Sequence, residues 1–369
     1  MRISYVNGIC VRHDAISNSV RNEIRVLSEN GQHDVRLFAY ACDFADIPYS
    51  LVESVGDIAM DPHFQSSDLI VFHFGVYYPL FDLTAVAPTG AKRLVVFHNI
   101  TPKEVLPPSQ WPTIERSCMQ LPNAAWVDHV LCDSETNLLA LQQASVSTPA
   151  SVMPLPVHVT KGPASKTSFE DSILRILFLG RFVRSKGPQD LLNAMQAVMR
   201  DVPQGILVNV DLVGNMLFSD QELLTELRAA AAELERDYRG SLTVTFRGNV
   251  DDDAKHELLQ RADMFVLPTY HEGFCVPIIE ALASGCVVVA YENSNTPAIS
   301  GGLASLTRTG DVASLAVAIR QAMELTASRH WRSEGYAEHL ERAWLHACRF
   351  SPPLVAHRFL SFVESLVAA

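Results

Sequence analysis

The N-terminal half of the chain alternates short apolar runs with longer amphipathic stretches. Each apolar run ends at a turn or at polar residues and is followed by a segment with helical periodicity. Strands that alternate with helices in this way predict parallel βαβ units and a doubly wound α/β domain. The predicted strands are Ile3–Val6, Val35–Tyr40, Asp68–Phe72, Arg93–Phe97 and Val130–Cys132.

The second half repeats this alternation without repeating the sequence, and it predicts a second doubly wound domain. Helical patterns occur in PQDLLNAMQAVMRD, at Glu222–Arg236 and at Ala254–Ala262. The predicted strands are Ile176–Leu179, Val208–Val213, Thr243–Arg247, Met264–Leu267 and Val287–Ala290.

Between the halves, the segment PLPVHVTKGPASKTSFED is rich in Pro, Ser, Thr and Lys and has no apolar period. We therefore predict a domain at residues 1–155, a linker at 156–171 and a second domain at 172–351. Residues 352–369 form an amphipathic pattern that we expect to cross back to the N-terminal domain. The carboxyl edges of the two parallel sheets are expected to face a cleft, with the linker as its hinge.

Composition narrows the class of protein. Of 369 residues, 48% are hydrophobic and 19% charged, which argues against disorder and against a charged coiled coil. The formal net charge of −12 disfavours a nucleic-acid-binding protein. Seven scattered cysteines without a CxxC pair favour reduced thiols and a cytoplasmic location. There is no signal-like start and no apolar run of the roughly 18 residues that a membrane span needs, so we expect neither export nor a span.

Candidate chemistry is concentrated in PTYHEGFCVPIIEALASG, which follows an apolar strand directly. Pro277 stands where a helix begins, so the preceding backbone is expected to offer N–H groups to a phosphate. Glu272 and Glu280 flank this helix start. Their carboxylates suit the hydroxyls of a ribose and a sugar on either side of a diphosphate. The alternative is that both are exposed acids favoured by the helix dipole.

A second segment, GRFVRSKG, also follows a strand and places Arg181 and Lys186 at the carboxyl edge of the sheet. Two cations there suit a diphosphate, with a solvated loop charge pair as the alternative. Gly180, Gly214 and Gly248 end three strands at this edge. They would let a flat base lie against the backbone, or they simply form turns.

The ordered set GRFVRSKG, LVGN and FRGNVDDDAKHELLQRADMFVLPTYHEGFCVPIIEALASGCVVVA resembles the donor half of the retaining glycosyltransferases of glycosyltransferase family 4. In the N-terminal half, VFHFGVYYPL, LVVFHNITP and CDSETNLLAL resemble acceptor-domain segments of bacterial surface-polysaccharide enzymes. The resemblance implies the GT-B fold, which has two Rossmann-like domains facing a cleft. It also implies transfer with retention of configuration and without a metal or other cofactor.

Carried over by residue, the resemblance implies that Arg181 and Lys186 bind the diphosphate and stabilise the leaving group. Glu272 would contact the transferred sugar, Glu280 the ribose, and His98 the donor sugar from the N-terminal domain. The implied catalytic residues are Glu272, His98, Arg181 and Lys186. The implied donor-binding residues are Gly180, Arg181, Lys186, Gly214, Gly248, Asn249, Glu272, Gly273, Phe274, Cys275, Val276 and Glu280. Gly8, Arg12, His73 and Asn99 are candidates for the acceptor, although His73 could instead close its strand.

The run Asp251-Asp252-Asp253 could be interpreted as a metal site. It directly precedes the helical pattern AKHELLQRA, however, and N-capping and the helix dipole explain it, so no metal site is expected. The predicted reaction transfers a sugar from a nucleotide diphosphate, mannose from GDP-mannose first and a UDP-sugar second. The expected acceptor is a lipid-linked glycan in polysaccharide or O-antigen biosynthesis, with peripheral membrane contact or partner glycosyltransferases. Alternatives are a GT-B epimerase or phosphorylase, or a catalytically silent nucleotide-sugar-binding subunit.

Overall fold

A computed structural model describes residues 1–12, 14–31, 33–164, 172–216, 219–328 and 330–369. The chain forms two compact units. Unit 1 comprises Met1–Pro156 with Pro352–Ala369, and unit 2 comprises Val157–Ser351. Part of the predicted linker, residues 165–171, lies outside the described residues.

Unit 1 is built on a parallel sheet of seven strands in the order β5-β3-β1-β6-β7-β8-β9. Two further strands, β2 and β4, form a separate parallel pair. Its apolar strands are covered on both faces, as a parallel sheet requires. The strands are β1 Arg2–Val6, β2 Ile9–Cys10, β3 Asp34–Ala39, β4 Ala41–Cys42, β5 Tyr49–Leu51, β6 Leu69–Phe74, β7 Lys92–Phe97, β8 His129–Cys132 and β9 Ala150–Val152.

Helices cover this sheet and connect its strands. They are α1 Ala15–Gly31, α2 Val55–Ala59, α3 Pro62–Gln65, α4 Trp111–Gln120 and α5 Glu135–Gln143. Short 3₁₀ turns cover Pro79–Ala85, Lys103–Val105, Pro108–Gln110 and Leu121–Trp126.

Unit 2 has a parallel sheet of six strands in the order β12-β11-β10-β13-β14-β15. Its strands are β10 Ile173–Leu179, β11 Leu207–Val213, β12 Leu242–Gly248, β13 Met264–Leu267, β14 Val287–Glu292 and β15 Ala304–Arg308. Its helices are α6 Pro188–Val198, α7 Gln221–Asp237, α8 Asp252–Arg261, α9 Val276–Ala283, α10 Thr296–Ser300, α11 Val312–Ala327 and α12 Tyr336–Cys348. Further turns are 3₁₀ at Arg184–Lys186 and Met199–Asp201 and π at Trp331–Gly335.

Helix α13, Pro352–Ala368, follows unit 2 in the chain but belongs to unit 1. Phe359 and Val363 are buried in the same apolar cluster as residues of β1 and α1. The ring of Phe362 lies 4.9 Å from that of His129 at the start of β8. The amphipathic face predicted from the sequence is therefore the face that completes the core of unit 1. Among the described residues, no helix has the length and apolar character that a membrane span requires.

Candidate active site

In unit 2, the chain leaves β10 and β13 at the centre of the sheet, where the strand order reverses. Strands β11 and β12 lie on one side of this neighbouring pair, and β14 and β15 lie on the other. The connections after the two central strands therefore diverge and leave a crevice at their carboxyl ends. Both predicted donor segments begin here, one at Gly180 after β10 and the other at Pro268 after β13.

At this edge, the surface is formed by the backbone of three glycines, Gly180, Gly214 and Gly248, which we call the glycine floor. The Gly180 N–H donates to Val213 O at 2.9 Å, and the Gly214 N–H donates to Gly248 O at 3.1 Å. A Cβ on Gly214 would lie 2.0 Å from the Gly180 carbonyl oxygen, so no larger residue fits. A ligand can thus approach the backbone closely. Asn249, predicted with this group, follows Gly248 and is exposed.

Lys186 and Glu272 meet across the crevice. The Lys186 ammonium donates to the Glu272 carboxylate at 2.6 Å, and only 8% of the Glu272 side chain is exposed. Lys186 ends a 3₁₀ turn, and Gly187 then takes a left-handed conformation, with φ of 67°, at the start of α6. Arg181 is exposed and forms no ion pair with any other residue that the structure describes.

Helix α9 begins at this crevice after a sharp turn. Cys275 takes a left-handed conformation with φ of 78°, and Val276 and Pro277 open the helix. Asn295 donates from Nδ2 to the carbonyl of Phe274 at 2.8 Å, which fixes the loop next to Gly273. Burial, with Glu272 adding to it, raises the pKa of the Cys275 thiol well above its usual range. This thiol is therefore protonated and unsuited to nucleophilic attack.

Glu280, one turn into α9, is held by Lys255 of α8. The Lys255 Nζ lies 2.8 Å from Glu280 Oε1 and 3.2 Å from Asp252 Oδ1. Burial lowers the pKa of Lys255, but the attraction of Glu280 outweighs it, so the pKa is raised overall. The alternative that Glu272 and Glu280 are exposed surface acids is wrong, because both are ion-paired and mostly buried.

Asp251 accepts a hydrogen bond from the Ala254 N–H at 2.8 Å and caps α8, so the N-capping interpretation is confirmed. Within the described ranges, no group of His, Cys, Asp and Glu side chains has the arrangement of a metal site.

Replacing Asp251 by alanine should lower the free energy of unfolding by about 1 kcal/mol, because one helix N–H loses its acceptor. Asp253→Ala, in the same exposed first turn, should cost only a few tenths of a kcal/mol through the helix dipole. Urea unfolding in EDTA and in Mg²⁺ should give the same difference between these variants. A loss that appears only with Mg²⁺ would instead mean that the triplet binds metal.

In unit 1, a chain of buried side chains crosses the carboxyl edge of the sheet. His98 Nδ1 lies 2.7 Å from Asp133 Oδ2, and His98 Nε2 lies 2.7 Å from His73 Nδ1. His73 Nε2 lies 3.0 Å from Glu23 Oε2, which also accepts from the Tyr5 hydroxyl at 3.2 Å. Burial lowers the pKa of His98, but Asp133 and then Glu23 outweigh it and leave the pKa raised. We call Asp133, His98, His73 and Glu23 the buried relay.

The buried relay corrects the prediction for His73. Its side chain is wholly buried and both ring nitrogens have protein partners, so it cannot contact an acceptor directly. The ring nitrogens of His98 are also bonded within unit 1, so a ring contact with a sugar requires one of these bonds to open. Arg12 is exposed, and Asn99 follows His98 with a φ of 111°. Gly8 follows β1, with Tyr78 beside it.

Unit 1 also contains a mainly apolar cavity of about 520 Å³. It lies between the segment that follows β7 and helices α4 and α5. Lys103 and Glu115, which form a 2.7 Å ion pair, are among its few charged groups. Its remaining lining residues are Phe97, Ile100, Thr101, Pro102, Glu104, Ile114, Cys118, Met119, Leu121, Ala140 and Ala144.

The donor-side residues match a known family. Residues 174–324 match the family model described as "Glycosyl transferases group 1". Over this stretch, the chain is similar to the group 1 glycosyltransferases. It contains the glycine floor, the Lys186–Glu272 pair and the Lys255–Glu280 pair.

Curated relatives are similar to this chain over part of their length. The "D-inositol 3-phosphate glycosyltransferase" of Corynebacterium kroppenstedtii is 29% identical over 177 residues, which cover 47% of this chain and 38% of that protein. The "O-antigen chain mannosyltransferase B" of Escherichia coli is 29% identical over 100 residues, which cover 27% of this chain and 26% of that protein. The chain thus spans less than half the length of either relative.

Solved structures match over the whole chain. Sucrose-phosphate synthase from Thermosynechococcus elongatus has a TM-score of 0.75 at 16% identity and full coverage of both chains. Anabaena HepE in complex with UDP has a TM-score of 0.73 at 17% identity, with 99% and 100% covered. These matches confirm the predicted fold class, two Rossmann-like domains of the GT-B type.

Sequence reasoning missed several supporting residues of the site. Lys255, Asn295, Asp133 and Glu23 each hold a predicted residue or its loop in place. All four lie more than twenty residues from the residue that they hold. Only their strand-end and helix positions could have suggested them.

Proposed function

We propose that this protein is a retaining glycosyltransferase that moves a sugar from a nucleotide diphosphate to a hydroxyl of a glycan. One observation carries the proposal: the Lys186–Glu272 pair spans the crevice of unit 2, with Lys186 close to Gly180 at an edge made of glycine backbone. A cation, a carboxylate and close backbone access are what a nucleotide sugar requires. The match of residues 174–324 to a glycosyltransferase family supports it.

The charges of the site fit departure of a nucleoside diphosphate. Exposed Arg181 and partly buried Lys186 would attract the diphosphate and stabilise the negative charge that grows on it. Glu272 would accept hydrogen bonds from the sugar hydroxyls. Glu280, fixed by Lys255, would accept them from the ribose.

We propose attack on the same face from which the diphosphate leaves. The bond from C1 to the phosphate oxygen breaks as the bond from C1 to the acceptor oxygen forms, and the acceptor proton passes to the leaving phosphate. The buried, protonated Cys275 thiol argues against a covalent intermediate at that residue. The proposed diphosphate partners are protein cations, so the reaction needs no metal.

GDP-mannose is our first candidate donor, supported by the E. coli relative, whose name gives it as a mannosyltransferase. A UDP-sugar is the second candidate, since HepE was solved with UDP. We propose a lipid-linked glycan of polysaccharide or O-antigen biosynthesis as the acceptor. The apolar cavity of unit 1 supports a lipid portion, which would bring the protein to the membrane surface peripherally.

Calorimetric titration with GDP, UDP and ADP in EDTA tests the donor site. We expect one nucleotide to bind, and Arg181→Ala to weaken it about ten- to a hundredfold, because a charge-assisted hydrogen bond contributes about 1.5–3 kcal/mol. Arg184→Ala is the matched control. It lies in the same segment, is exposed and pairs with Glu226, so binding should not change. Equal weakening in both variants, or no binding at all, would remove the donor-site proposal.

Product analysis separates transfer from the alternative reactions. With donor and a glycan acceptor, a transferase forms a longer glycan and free nucleoside diphosphate. An epimerase would consume donor without acceptor, and a phosphorylase would require inorganic phosphate. A protein that binds the nucleotide but forms no product would be the silent subunit.

A further inference from the structure

The buried relay contains more hydrogen bonds than two neutral histidines can supply. Its three contacts join Asp133 to His98, His98 to His73, and His73 to Glu23, at 2.7, 2.7 and 3.0 Å. Each needs one hydrogen, and ionised carboxylates donate none. Two neutral imidazoles carry one N–H each, which makes two. The relay is therefore complete only when it holds a third proton.

Neighbouring groups favour that proton. Asp133 Oδ1 is buried and has no hydrogen-bond partner among the described residues, so the carboxylate depends on His98 for compensation. The Tyr5 hydroxyl and the Ser19 hydroxyl both donate to Glu23, so Glu23 acts as an acceptor on this side of the relay and the hydrogen between it and His73 comes from the ring. Asp14, before α1, adds a further attraction for a positive His98. The raised pKa of His98 agrees with this arrangement.

We propose that Glu23 and His73 are positioning residues that keep the His73–His98 pair protonated, as one shared imidazolium at the carboxyl edge of the unit 1 sheet. The two rings are 5.0 Å apart and nearly parallel, so the charge can reside on either by moving one proton between Nδ1 of His73 and Nε2 of His98. The role of this charge in transfer rests on the proposed function: it stabilises anionic substrate groups near His98.

Glu23→Gln separates charge from geometry. The amide can donate to His73 Nε2, His73 Nδ1 then donates to His98 Nε2, and His98 Nδ1 donates to Asp133. All three hydrogen bonds remain, with two ring protons instead of three. His63→Gln is the matched control, because His63 is a buried histidine of the same unit that bonds to Ser4, outside the relay.

NMR of the full chain with ¹⁵N-labelled histidine counts the protons at neutral pH. Signals are assigned by their loss in His73→Gln and His98→Gln. We expect three protonated ring nitrogens in the wild-type pair and in His63→Gln, and two in Glu23→Gln. Two in the wild-type protein would overturn the proposal, and this count stands even if the Gln variant fails to fold.

The pH profile tests the role in transfer. The pKa of His98 is raised above 6.5 in the folded protein. The favourable effect of its proton is therefore fully present below pH 6.5 and is lost as the pH rises through the folded-state pKa. Wild-type kcat should fall over that upper range, whereas Glu23→Gln should be about tenfold lower and flat, which corresponds to about 1.4 kcal/mol. If wild type and Glu23→Gln had the same pH profile of kcat, the proposed role of the charge in transfer would be overturned. If NMR finds three ring protons but the protein has no transferase activity, only the proposed function is refuted and the shared imidazolium stands.

Discussion

Replacing Gly187 by alanine is expected to lower the free energy of unfolding by about 3 kcal/mol or more. Two costs add. Gly187 has a φ of 67°, where a side chain costs about 1–2 kcal/mol. A Cβ there would also lie 2.0 Å from the carbonyl oxygen of Pro268, so backbone must move, at a further cost of about 1–3 kcal/mol. Urea unfolding of both proteins measures the difference.

Gly205→Ala is the matched control. Gly205 also has a positive φ, of 90°, but nothing lies within 4 Å of its added Cβ. It should therefore show only the conformational cost. The contact between Gly187 and Pro268 joins the two segments that carry Lys186 and Glu272, so Gly187→Ala should weaken nucleotide binding as well. Equal losses in the two variants would contradict the close approach at Pro268.

Replacing Lys186 by alanine is expected to abolish measurable nucleotide binding and to destabilise the protein by about 3–5 kcal/mol. Glu272 is mostly buried, and its carboxylate would lose the cation that compensates it. The predicted diphosphate would lose a cation as well. Calorimetry measures the first effect and urea unfolding the second.

A double variant distinguishes these two effects. In Lys186→Ala with Glu272→Gln, no buried charge is left uncompensated, so most of the stability should return. Nucleotide binding should not return, because the cation is still missing. Recovery of binding together with stability would show that Lys186 acts only through the fold.

Sequence predicted the central strands and the segments at their ends well, and the reason is physical. Met264–Leu267 is a run of four apolar residues that is buried on both faces, and its observed bounds equal the predicted ones. The pair β2–β4, at Ile9–Cys10 and Ala41–Cys42, was missed because strands of two residues show no period. Strand β15 was missed because its sequence, ASLTR, is largely polar.

The partners of the site residues were the part that sequence could not supply. Glu23 is 50 residues from His73, and Asp133 is 35 residues from His98, so no local pattern links them. From its place near a strand end, the sequence left two roles open for His73, contact with an acceptor or closure of the strand. Its side chain instead points into the interior, where Glu23 and His98 occupy both of its nitrogens. A strand-end position predicts the edge of the sheet but not the direction of the side chain.

The membership of α13 in unit 1 has a consequence for synthesis. Unit 2 is one continuous stretch, Val157–Ser351, whereas the core of unit 1 includes Phe359 and Val363. During translation, which proceeds at about 5–20 residues per second, all of unit 2 is synthesised before those two side chains exist. Until then, the apolar surface of unit 1 that α13 covers is open to water and to chaperones. Unit 1, although its first 156 residues are translated first, thus cannot complete its core until unit 2 has been synthesised.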